Sequence, residues 1–69
     1  MVNGKKIRTL REDANMTLAD LSSLIGCSIP QLGFIEQELK RPNIEVLKRI
    51  ADKFGVTVDD LLRNDTEAS

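Results

Sequence analysis

The sequence predicts an all-α fold, a compact bundle of five short helices. Three observations carry this. Apolar residues recur at helical spacing almost throughout, and no stretch of four or more alternates as a half-buried strand does. Helix-starting residues (Thr17, Ser28, Asn43, Thr57) stand at helix-length intervals. Helix-ending residues (Gly26, Pro42, Gly55) fall shortly before the later three of these.

The first helix runs roughly from Gly4 to Ala14, with Ile7, Leu10 and Ala14 on one face. Thr17 caps the second, with Asp20 placing negative charge at its start. Leu21, Leu24 and Ile25 follow, and Gly26 supplies the left-handed residue that ends it. Ser28 caps the third helix, and Pro30 falls in its first turn, where amides lack helical partners anyway. Its apolar side is Leu32, Ile35 and Leu39. Pro42 stops it, and Asn43 opens a fourth helix carrying Ile44, Leu47, Ile50, Ala51 and Phe54. After Gly55, Thr57 and Asp60 open a short fifth helix whose Leu61 and Leu62 are expected to lock onto the core. These elements fill residues 1–63 as one domain, and the polar residues 64–69 read as a flexible tail.

Composition narrows the function. With 69 residues the chain suits one small domain. A domain of that size buries only about 60% of its unfolded surface. The single cysteine, Cys27, has no cysteine to pair with and no histidine to join around a metal. No run of about 20 apolar residues is present, so no membrane span is expected. The first residues lack the apolar core of a secretory signal. A cytoplasmic protein is the expectation, and a lone thiol suits that compartment. The net charge of −1 argues against a general polyanion binder, but its distribution is uneven. Cations gather at Lys5, Lys6, Arg8 and Arg11 and again between Lys40 and Lys53, while acids gather from Asp59 onward.

Two short helices joined by a three- or four-residue turn containing Gly form a DNA-binding helix-turn-helix arrangement. Leu18 to Ile25 is the supporting helix, Gly26-Cys27-Ser28 the turn, and Ile29 to Gln37 the second helix. Leu21 and Ile25 are apolar where the core requires it. Ser22 is small where the second helix crosses closely. Leu32 and Ile35 face inward, leaving Ile29, Pro30, Gly33, Phe34 and Gln37 outward.

The register Lys6-Ile7-Arg8, Leu10-Arg11, Met16-Thr17, Leu21, Ile25 to Ser28, Leu32, Ile35-Glu36, Lys40 to Pro42, Leu47, Ile50-Ala51, Phe54 to Val56 and Asp60 to Leu62 resembles the phage repressor/Cro-like, XRE-type helix-turn-helix family. The resemblance implies a λ-repressor-like DNA-binding domain that regulates transcription, as a repressor, and pairs as a homodimer on double-stranded DNA. It implies an ion pair between Arg11 and Glu36, tying the first helix to the recognition helix. It lays Thr17 and Leu18 against a phosphate and gives Lys40 and Arg41 backbone contacts. The DNA-contacting set it implies is Thr17, Leu18, Ser28, Ile29, Pro30, Gln31, Gly33, Phe34, Gln37, Lys40 and Arg41. Leu18 departs from the family's frequent Gln, so one hydrogen-bonding clamp is missing, although helix amides bind anions unaided. Ile29, Pro30 and Phe34 stand where the family carries polar base readers. Apolar side chains read the thymine methyl, which points to an A·T-leaning site.

No cofactor, metal site or enzyme activity is expected. The chain has no histidine, no nucleophile–base set and no phosphate-cradling glycine loop. Cys27 sits near a helix N-terminus, a place that lowers thiol pKa values. The competing reading is a helix-turn-helix scaffold reused to bind a protein partner through an apolar Leu18/Ile29/Pro30/Phe34 face, since such patches mark protein contacts.

Overall fold

The computed structural model describes Val2 to Arg63, and the tail expected at 64–69 lies outside the described residues. Five helices form there: α1 Gly4–Asp13, α2 Leu18–Ile25, α3 Ile29–Glu36, α4 Ile44–Phe54 and α5 Val58–Leu62. Each start is fixed by a side chain that accepts an otherwise orphaned amide. Thr17 and Thr57 form reciprocal capping boxes with Asp20 and Asp60, while Ser28 and Asn43 accept from Gln31 and Val46. Gly26 and Gly55 end α2 and α4 at φ of 77° and 68°, the left-handed region that an L side chain resists.

The core is built from Ile7, Leu21, Ile25, Leu32, Ile35, Ile50 and Leu61, all essentially sealed from solvent, with Val2, Val46, Leu47 and Ala51 around them. Every helix contributes to it. α1 lies against α3 and α5, and α4 lies against α2 and α5.

Several apolar residues do not take the places expected of them. Ala14 is the exposed C-cap of α1 and not part of its buried face, because Asn15 turns into the left-handed region at φ 58°. α3 stops at Glu36, with Gln37 as its cap and Glu38 left-handed at φ 64°, so Leu39 swings out and is 68% exposed. In α4 it is Val46 that turns inward and Ile44 that points out. Leu24 and Leu62 are likewise exposed, and α5 is locked to the core by Leu61, with Val58 packed half-buried beside it. Residue type says that a side chain prefers burial; the turn it occupies decides whether it gets it.

Two long-range contacts hold the first residues. The Asn3 amide donates to the Leu61 carbonyl at 2.7 Å, and Asn3 Nδ2 donates to the Arg63 carbonyl at 2.7 Å. This seats Val2 in the core. Gly4 then brings the start of α1 against the end of α3, placing amide-rich and carbonyl-rich helix ends together, an arrangement the helix dipoles favour. The Gly4 amide is claimed by Glu38, whose Oε2 accepts at 2.9 Å.

Candidate nucleic-acid interface

The chain bends by 106° between α2 and α3, within the range expected of a helix-turn-helix. Ser22, buried, makes the close crossing possible and turns its hydroxyl back onto the Ala19 carbonyl at 3.0 Å. The turn is also held from α4. Arg49 Nη1 donates to the Ile25 carbonyl at 3.1 Å, satisfying one of the carbonyls left unpaired at a helix end, while Nη2 meets Glu45 at 3.2 Å. A side chain at Gly26 would strike that guanidinium at 2.8 Å. Nothing in the local pattern around Arg49 signals this role, because its acceptor lies 24 residues away.

Arg11 and Glu36 meet in a two-pronged pair, Nε to Oε2 at 2.7 Å and Nη2 to Oε1 at 3.1 Å. Arg11 Nη1 also donates to the Met16 carbonyl at 2.8 Å, just before α2 begins. The side chains are 11% and 6% exposed, so the pair is buried. The hydrogen bond to Glu36 raises the Arg11 pKa further, against the opposing effect of burial. One guanidinium thus joins α1, the start of α2 and the end of α3.

On α3, Ile29, Pro30, Phe34 and Gln37 are exposed, Gln31 and Gly33 half-buried, and Leu32, Ile35 and Glu36 turned inward. Ser28 is exposed and its hydroxyl caps Gln31. Leu18 is half-buried against the core and lies beside Gly33, so the apolar face is smaller than expected and consists of Ile29, Pro30 and Phe34. Thr17 is exposed, with its amide donating to Asp20 at 3.0 Å and its hydroxyl accepting from the Asp20 amide. Hydrogen bonds to Thr17, amide first and hydroxyl second, hold the Asp20 carboxyl below the usual range. The first-turn amides of Leu18 and Ala19 have no helical acceptor and point toward any anion placed there.

Lys40 and Arg41 are exposed in the α3–α4 loop, which folds back on α3. The amides of Leu39 and Lys40 both donate to the Phe34 carbonyl, at 2.8 and 3.3 Å. Lys40 and Arg41 share a depression with Val2, Glu38 and Leu39, whereas Leu18, Gly33 and Gln37 line a separate groove beside α1. Cys27 is half-buried against the core, and burial pushes its thiol up.

A right-angled helix pair, an exposed strip on the second helix and a buried ion pair behind it define a helix-turn-helix domain. Residues 7–61 match the helix-turn-helix family, and the chain belongs to it. It is 33% identical over 58 residues to the HTH-type transcriptional regulator DdrOP3 of Deinococcus deserti, covering 84% of this chain and 45% of that protein. The chain spans less than half the length of the curated relatives it matches. The fold matches the P22 c2 repressor, solved with a synthetic operator, at a TM-score of 0.85 and 25% identity, covering 91% of this chain and 96% of that one. It also matches a chain of the SinR–SinI protein complex at 0.84 and 26% identity, covering 97% and 66%. Among the described residues no single helix is long and apolar enough to cross a membrane.

Proposed function

We propose that this domain binds double-stranded DNA sequence-specifically, as a homodimer, and represses transcription in the cytoplasm. The observation that carries the reading is the exposed α3 strip, Ile29 to Gln37, held at 106° to α2 and locked from behind by Arg11 and Glu36. The repressor from P22, of matching fold, was solved on an operator, which supports the same use here. In this reading α3 enters the major groove, and Ile29 and Phe34 read thymine methyls while Gln31 and Gln37 supply hydrogen bonds. The Leu18 and Ala19 amides, with Thr17, meet one phosphate strand, and Lys40 and Arg41 meet another. Pro30 and Ser28 shape the entering end of α3, and Gly33 lies along its flank.

Selection from random duplexes is expected to return an A·T-leaning site whose binding weakens steeply with salt. Lys40→Ala or Arg41→Ala weakens binding to all sequences alike and flattens the salt slope by about one for each phosphate no longer neutralised. Phe34→Ala instead changes which site is preferred. No enriched sequence, together with capture of a protein partner that Phe34→Ala abolishes, sends the domain to the alternative use. The exposed Ile29 and Phe34 are the side chains that alternative would use, and one chain of matching fold comes from a protein–protein complex, SinR with SinI.

A single recognition helix covers one half-site, and two-fold pairing about one helical turn apart raises affinity and specificity. Light scattering on a palindromic site is expected to give two chains per duplex. One chain per intact palindrome defeats the dimer.

A further inference from the structure

Three of the four glycines have a reason inside the fold. Gly26 and Gly55 adopt positive φ, and Gly4 lies where a Cβ would strike backbone carbonyls. Gly33 has none of these. Its backbone is regular helix, and a Cβ there would meet only Leu18 Cδ1 at 3.9 Å, an ordinary contact. Mid-helix glycine is the poorest helix former after proline, so the fold by itself favours alanine at this place. What remains is something outside the chain that approaches the bare backbone closely.

Gly33 helps to form a groove of about 500 Å³ between α3 and α1, with Lys5 and Arg8 on the α1 wall. Two acids also line it: Glu36 is matched by Arg11, while Glu38 accepts the Gly4 amide and keeps its charge, and Lys5 and Arg8 together outnumber it. Arg8 pairs with Glu12, in a contact with both side chains more than half exposed, too weak to keep it from a phosphate. A bare floor beside a cationic wall suits a phosphodiester strand.

We propose that Gly33 is a positioning residue for DNA, the point of closest approach of a sugar–phosphate strand running between α3 and α1. Its missing side chain sets how deeply α3 seats. This rests on the DNA reading above and adds to it a strand path along Lys5 and Arg8.

The test pairs a thermal melt with titration of the selected duplex, for the parent and for Gly33→Ala and Gly33→Met. Gly33→Ala is expected to melt higher than the parent, because helix propensity improves. It is expected to bind about tenfold weaker, because the strand is held off the bare backbone. Its sequence preference stays unchanged, and Gly33→Met weakens binding further. A parent that binds while Gly33→Ala binds as tightly overturns this inference and leaves the DNA reading standing. A Gly33→Ala protein that melts lower than the parent also overturns it, since the fold then did need the glycine. A parent that binds no duplex overturns both.

Discussion

Arg11→Met is expected to strip the domain of most of its stability at room temperature. The substitution strands the Glu36 carboxylate, 6% exposed, with no cation to face. It also removes the donor to the Met16 carbonyl. Breaking one side of a buried pair costs about 3–5 kcal/mol, because the remaining charge keeps its desolvation penalty. A domain this small holds about 5 kcal/mol in total. Urea unfolding followed by circular dichroism measures the loss. Replacing both partners, Arg11→Met with Glu36→Met, is expected to recover much of it, since no charge is then left buried. A single variant melting within a degree or two of the parent means that Glu36 finds solvent or another partner.

Gly4→Val is also expected to lose much of the stability, for a different reason. The added Cβ would stand 2.6 Å from the Ile35 carbonyl oxygen and closer still to that of Glu36. These are backbone atoms in the last turn of α3, so no side-chain rotation relieves the contact. Overpacking a well-filled site costs about 1–3 kcal/mol and sometimes more. Here the start of α1 must also back away from α3, loosening the Gly4–Glu38 hydrogen bond and the Arg11–Glu36 pair downstream. Gly4→Ala is expected to lose somewhat less, with the urea midpoint shifted in the same direction. An alanine variant as stable as the parent would show that α1 slides freely on α3.

The helix starts are legible in the sequence because their chemistry is local. Thr17, Ser28, Asn43 and Thr57 each bond an amide three residues on, a distance that sequence spacing states directly. Gly26 and Gly55 are legible for the same reason, each serving the turn it sits in. Burial at helix ends is not, as Leu39, Ile44 and Leu62 show, because one extra or missing residue in a cap rotates a side chain from core to solvent. The contacts of Gly4, Glu38 and Arg49 are invisible for a further reason. The long-range partners of these residues stand 24 or more positions away, and most are backbone groups, which carry no side-chain signature in the sequence. The Arg11–Glu36 pair is legible only through the resemblance to a family, since a separation of 25 residues gives no spacing rule.

The bonds from Asn3 to Leu61 and Arg63 place the two ends of the folded unit side by side. A unit whose ends meet can be spliced into a surface loop of another protein without prying that loop apart. By the same geometry a short linker would span the two ends, and new ends could be opened elsewhere in an exposed connection. The turn after α1, around Asn15, is exposed and lies outside the α2–α3 pair, so a cut there leaves α2, α3 and their brace from Arg49 on one continuous segment.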